Sequence, residues 1–191
     1  MLTLRFLRLD DVSKAVKLHR EVLGEGIAAY LGDCFLISLY RRITKKKLGF
    51  CLIAEENAKV IGLCVGLEPG AIWKFGWEEL KGCNLGFIKN IILSLTRSPS
   101  ILVQYIKGRK HRPKCIELYF LAIANKDQGK GIGTRLIDAF ERQLEKRKES
   151  EYFLITWSGS RAEKFYNRMG LSKFNETSYL GKQISMLSKK I

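Results

Sequence analysis

The stretch from Glu117 to Thr134, ELYFLAIANKDQGKGIGT, constrains this chain more than any other. Ile116 to Ile123 is an apolar run rich in β-branched and aromatic residues, the pattern of a strand. Asn125, Lys126 and Asp127 break the run and read as a tight loop. Gln128, Gly129, Lys130, Gly131, Ile132 and Gly133 come next, and the spacing predicts a helix from Gly129 to Lys148. A strand that feeds a glycine-rich turn at a helix start makes an anion site. The first amides of a helix lack acceptors within it, and the positive end of its dipole lies there. Glycines let a phosphate come close to that backbone. The string is not a P-loop, which needs Gly, four residues, then Gly-Lys-Ser or Gly-Lys-Thr. Nor is it the dinucleotide fingerprint: Gly129 and Gly131 fit its opening, but Thr134 stands where the third glycine belongs. The competing reading is an ordinary glycine-bearing turn before a core helix.

At 191 residues the chain is expected to form one domain with a sizeable core. Its formal charge of +15 points to anionic partners: nucleotides, coenzyme A, nucleic acid or an anionic membrane surface. The five cysteines are scattered and show no C-x-x-C spacing, so no metal site is expected and a reducing cytoplasm suits them. Arg5, Arg8, Asp10 and Asp11 interrupt any signal-peptide core, and no apolar run is long enough to cross a membrane.

Leu2 to Leu9 alternates as a strand, and Asp10 or Asp11 is placed to N-cap the helix that follows. Val12, Ala15, Val16, Leu18, His19 and Val22 form its apolar stripe, ending near Gly24. Asp33 is placed to cap a second helix carrying Phe35, Leu36, Leu39, Tyr40 and Ile43. Phe50 to Glu55 and Val60 to Leu67 read as strands joined by a turn at Glu56, Asn57 and Ala58. Residues 68–113 read as a helical, basic insertion, with helices at Phe87 to Leu95 and Ile101 to Ile106. A substrate lid or a homodimer contact is the expected use of it. Its aromatics and lysines also fit membrane-surface contact by residues 73–112, which is not the expectation. Ile132, Leu136, Ile137, Phe140 and Leu144 face the sheet from the next helix, with Arg135, Asp138, Glu141, Arg142, Glu145 and Lys146 outward. Tyr152 to Trp157 is a fifth strand. Ser160 to Met169 is a helix with Ala162, Phe165, Tyr166 and Met169 on one face. Leu171 to Asn175 and Tyr179 to Leu187 form a closing hairpin, after which Lys189 and Lys190 fray.

The string Gln-x-x-Gly-x-Gly from Gln128 to Gly133, preceded by Leu121-Ala122-Ile123 on a strand, resembles the coenzyme A motif of the GNAT acyltransferases. Ala162, Tyr166 and Gly170, each four apart, resemble that family's second signature. The chain departs from the signature at Gly159, where Asn is common, and at Leu171, where Phe is common; Ser158 or Ser160 is the candidate substitute for the missing amide. The resemblance covers most of the chain outside 68–113. It implies an α/β fold in one domain over 1–191: a central twisted mixed sheet, a V-shaped split between strands 4 and 5, and helices on both faces. It implies acetyl-CoA as co-substrate. Leu121, Ala122 and Ile123 would meet the pantetheine arm. Backbone amides from Gly129 through Lys130, Gly131, Ile132 and Gly133 to Thr134 would hold the pyrophosphate, with Gln128 opening the turn and Lys130 adding a cation.

The implied reaction is acetyl transfer to an amine. Tyr166 occupies the family's position for the acid that protonates the departing thiolate. An alkylammonium has a pKa near 10, so a base is needed at neutral pH. Glu117 is the candidate, and simple alternation puts it on one face with Tyr119, Leu121 and Ile123. An ion-paired structural carboxylate is the equal alternative. A lone helical His such as His19 reads as a surface or capped residue, and His111 as part of a basic loop. Asp33, Glu21 and Glu25 are candidates to receive an ammonium. The expected acceptor is a primary amine of a small molecule, an amino sugar or nucleotide-linked amino sugar given the basic insertion. A protein or peptide amine, or an inactive CoA-binding or nucleic-acid-binding module, are the alternatives; no recognised nucleic-acid motif is present.

Overall fold

The computed structural model describes residues 1–24, 28, 31–45, 47–72, 74–75, 112–179 and 181–191. The helices expected at Phe87 to Leu95 and Ile101 to Ile106, with Glu25 and His111, lie outside the described residues. The elements are β1 (Leu2–Phe6), α1 (Val12–Leu23), α2 (Asp33–Thr44), β2 (Gly49–Glu56), β3 (Lys59–Leu67), β4 (Ile116–Ile123), α3 (Ile132–Lys146), β5 (Glu151–Trp157), α4 (Arg161–Arg168), β6 (Ser172–Tyr179) and β7 (Lys182–Lys190). They build a seven-stranded mixed sheet in the order β1-β2-β3-β4-β5-β7-β6. All neighbours are antiparallel except β4 and β5, which run parallel.

Helices cover both faces. α3 lies on one, because the apolar stripe the sequence predicted is the one that is buried: Ile132, Leu136, Ile137, Phe140 and Leu144. Phe140 is its centre, with ring centroids 5.3 Å from Phe50 and 5.2 Å from Tyr152. β3 admits this ring only because Gly66 has no side chain, since a Cβ there would stand 2.7 Å from Phe140 Cε2. α1 and α2 pack together on the opposite face, where His19 of α1 meets Phe120 of β4.

Several local expectations are corrected. β1 stops at Phe6, and a 3-10 turn over Leu9–Asp11 precedes α1. Asp11 stands at the N-cap of α1 but makes no cap bond. Its carboxylate is taken instead by Arg5, whose Nη1 and Nη2 donate to Oδ2 and Oδ1 at 2.6 and 3.0 Å. That buried fork holds Asp11 below the usual carboxylate range. Gly32, not Asp33, caps α2, and Asp33 pairs with Arg20 at 2.5 Å. α3 starts at Ile132, three residues later than expected, because Gly129 and Gly131 take left-handed φ of 80° and 75°. The closing hairpin is longer and shifted, with β6 running to Tyr179. Lys189 and Lys190 do not fray. They pair with Tyr152 and Glu151, and Lys189 Nζ donates to both carboxylate oxygens of Glu141 at 2.8 and 2.9 Å. Glu141, expected on the outer face, is thereby half-buried, and it also accepts the Tyr152 hydroxyl at 2.6 Å.

Candidate active site

β4 and β5 share only two rungs, Ile116 with Tyr152 and Glu117 with Phe153. Beyond them the strands part, and the sheet opens toward the glycine turn. On its other side β4 stays paired to β3, down to Ala124 N–H donating to Ile61 O at 2.8 Å. Main-chain groups alternate along an antiparallel strand. Those of Ala122 therefore point to β3 with Ala124's, and those of Leu121 and Ile123 point into the split.

At its open end lies the turn. Gln128 folds back over the strand end, its Nε2 donating to Ile123 O and to Asn125 Oδ1, both at 3.2 Å. Gly129 and Gly131 follow in left-handed conformation, and a Cβ at either would meet nothing within 4 Å. Asp127 is buried beneath the turn and accepts Lys130 Nζ at 2.7 Å, while the Lys130 side chain stays 60% exposed. Lys130's charge is thus shared with the Asp127 carboxylate, whose residue type in the sequence signals only a turn. The positive φ angles, the open approach and the start of α3 together form a cradle that fits a pyrophosphate.

α4 meets this turn from the β5 side. Phe165 lies so close to Gly133 that a Cβ there would be 3.4 Å from its Cζ. Tyr166 is half-buried beside it, ring centroids 5.3 Å apart, and burial, with a smaller influence of Cys64, holds its phenol above the usual value. It keeps its proton at neutral pH. Ala162, expected on the same face, is exposed, and Glu163 is the buried residue of that turn. Glu163 and Ser160 cap α4 together. Ser160 Oγ accepts the Glu163 amide at 3.0 Å, and Glu163 Oε2 accepts the Gly159 amide at 2.5 Å. Ser160 Oγ thus accepts one bond and still has its O–H to donate. Ser158 bonds to Glu176 and Ser185. Gly159 has φ 72°, a conformation that Gly and Asn both tolerate.

Glu117 is not on the face that alternation predicts. β3 proceeds from Val65 to Gly66 while β4 passes from Phe120 to Leu118, so Tyr119 is an extra residue, a β-bulge. The Tyr119 and Phe120 rings lie 4.4 Å apart as a result. Directly opposed residues share a face, so Glu117, opposite Leu67, lies with Phe120 and Ala122 on the α1/α2 side. Leu121 and Ile123 lie on the α3 side. Glu117 is buried against Phe153 and Leu67, and Arg112 Nη1 donates to its Oε2 at 2.7 Å. Burial outweighs the guanidinium and pushes its carboxyl up to about 7.

His19 is fully buried rather than at the surface. Its Nδ1 is 3.0 Å from the Tyr40 hydroxyl, its ring meets Phe120 edge-on at 4.5 Å, and Nε2 has no partner. Burial lowers its pKa to about 4, so it is neutral. It wedges the bulge from behind. Of the three ammonium candidates, Asp33 is paired to Arg20 and Glu21 accepts the Asn125 amide at 3.4 Å. Cys51, Cys64 and Cys115 are buried thiols, and burial pushes that of Cys115 up to about 12.

The sequence profile of the acetyltransferase (GNAT) domain matches residues 92–187, half of the chain. No curated protein sequence matches. Solved structures with this fold include a PaiA N-acetyltransferase from Thermoplasma acidophilum in complex with coenzyme A, 14% identical, with TM-score 0.62 over 100% of this chain and 99% of that one. A polyamine N-acetyltransferase from Drosophila melanogaster that forms N-acetylagmatine is 12% identical, with TM-score 0.67 over all of both chains. A ribosomal-protein alanine N-acetyltransferase from Escherichia coli is also 12% identical, with TM-score 0.60 over 100% of this chain and 94% of that one. Together with the parted sheet, the profile match settles the family: the chain belongs to the GNAT acetyltransferases and is an acyltransferase with acetyl-CoA as its co-substrate.

Proposed function

We propose that the protein transfers an acetyl group from acetyl-CoA directly to a primary amine of a small molecule, with an amino sugar or nucleotide-linked amino sugar as the favoured acceptor. The observation that carries the transfer is the pairing of β4 and β5 at two rungs only, with the glycine turn at the open end. The acceptor is not legible from the fold, since similar structures act on a polyamine and on a ribosomal protein.

The amides of residues 129–134 hold the pyrophosphate, and the outward groups of Leu121 and Ile123 hold the pantetheine amides. The Leu121 N–H, two residues after the bulge at Tyr119, meets the negative oxygen that develops on the thioester carbonyl. Glu117 takes a proton from the acceptor ammonium through water, and its carboxyl near pH 7 is matched to that task. The neutral amine then forms the C–N bond as the C–S bond breaks. Tyr166 donates its proton to the leaving sulfur and regains one from the former amine nitrogen. Ser160 O–H remains available to the pantetheine arm. The buried unpaired thiols suit a cytoplasmic setting.

Thiol release from acetyl-CoA, measured against amino sugars, polyamines, amino acids and peptides, tests the reading. Turnover with small amines supports it, and turnover confined to peptides would replace it with the protein-acetylating alternative.

A further inference from the structure

Resting on that transfer reading, a second question is what holds the acceptor. The Arg112–Glu117 pair sits in a cavity of about 390 Å³ walled by Leu67, Ala71 and Phe153, with Lys114 at its rim. The two side chains are only 17% and 11% exposed. A guanidinium fork is shaped for a planar or tetrahedral oxyanion, and a buried one needs an anion beside it. Here the anion is the carboxylate that the reaction needs as base. While Arg112 donates to Glu117 Oε2, its charge and hydrogen bond lower the carboxylate's affinity for a proton.

We propose that Arg112 is an acceptor-binding residue: it takes an oxyanion, carboxylate or phosphate, carried by the incoming amine, and this anion replaces Glu117 on the guanidinium and frees it as proton acceptor. The exchange is ionic and makes no covalent bond. It keeps one negative charge on Arg112 at every stage, so no buried cation is left uncompensated. Leu121 stands three β3 rungs, roughly 10 Å, along the strand from Glu117 because of the bulge. Amine and oxyanion therefore belong at opposite ends of a small molecule, not on one carbon. The same device delays deprotonation until an acceptor with the right charge is seated.

The test is thiol release from acetyl-CoA with matched amine pairs: glucosamine 6-phosphate against glucosamine, and 6-aminohexanoate against 6-aminohexanol. It is run on the wild type, Arg112→Gln and Arg112→Lys. Coenzyme A affinity, retained in both variants, shows that they are folded. In the wild type the anionic member of at least one pair is expected to exceed its neutral partner by about 10- to 100-fold in kcat/KM, the range of one charge-assisted contact. The gap closes in Arg112→Gln and partly reopens in Arg112→Lys. A gap in the first pair alone identifies phosphate, and one in the second alone identifies carboxylate. Equal turnover within both pairs, or a gap that survives Arg112→Gln, overturns the proposal and leaves acetyl transfer standing. No turnover of any amine by a protein that binds acetyl-CoA removes the transfer reading and this inference with it.

Discussion

Replacing Gly131 with alanine separates two roles of one backbone position. Gly131 caps α3 at φ 75° and ψ 5°, where an L side chain is strained. A methyl group there meets no atom within 4 Å, so the folded protein suffers backbone strain and no clash. That strain costs about 1 kcal/mol, which for a chain of this size lowers Tm by about 2–4 °C. Gly181, in the hairpin between β6 and β7, has the same φ of 75° and equally open surroundings. Gly181→Ala is therefore a matched control with the same stability loss. The two differ only in what should approach them. In Gly131→Ala the methyl stands where a phosphate must come within hydrogen-bonding range of the main chain, and coenzyme A should bind at least about 10-fold more weakly. Gly181→Ala should bind it like the wild type. Thermal unfolding and calorimetric titration with coenzyme A read both quantities. Equal coenzyme A affinity in the two variants, with equal Tm losses, would falsify the assignment of the turn as the phosphate cradle.

Tyr166→Phe should lower kcat by about 100-fold, the scale of a general acid, with coenzyme A affinity nearly intact; unimpaired turnover removes the tyrosine from that role. kcat/KM should climb tenfold per pH unit up to about 7, where Glu117 loses its proton, and then level. Glu117→Gln should lose that limb along with most activity, and a limb that persists in the variant points to another base. Stability should show two opposed slopes. His19 has a folded pKa of about 4 against 6.5 unfolded, so between these values the unfolded chain binds the extra proton and stability falls toward acid, by on the order of 3 kcal/mol. Glu117 has about 7 against 4.5, so the folded chain binds the extra proton and stability falls as pH rises through that window, by on the order of 3 kcal/mol. His19→Asn should then gain stability toward acid and Glu117→Gln should lose it. Urea midpoints at pH 4.5, 5.5 and 7 measure both, and slopes of the same sign in the two variants contradict the assignment.

What could be read from the sequence was whatever repeats or punctuates. The stripe from Ile132 to Leu144 shows at helical spacing, and Asn57-Ala58 marks its turn, where φ is 48° and 60°. The face of Glu117 could not be read, because a bulge carries no side-chain signature. Tyr119 looks like any strand residue, yet it inverts the phase of everything before it. Residue type alone puts His19 at the surface, whereas its position in the apolar stripe of α1 agrees with its burial. The ordering of Lys189 and Lys190 was hidden because their strand partners Tyr152 and Glu151, and the salt-bridge partner Glu141 of Lys189, come from elsewhere in the chain. Arg112 is one charge among many in the basic insertion over 68–113, and its bond to Glu117 depends on how the chain re-enters the sheet.

The two-rung contact between β4 and β5 also bears on how firmly the molecule is held together. Each half of the sheet is stitched along its length, whereas the seam between them has a gap that a bound thioester would bridge with its own amides. Substrate would then act as a removable strand, and the resting enzyme would be least cohesive where it works. A saturating co-substrate should raise global stability by about 2.7 kcal/mol at one hundred times its dissociation constant. Amide exchange should slow most along Leu121 to Ile123 and Leu154 to Trp157, on either bank of the gap.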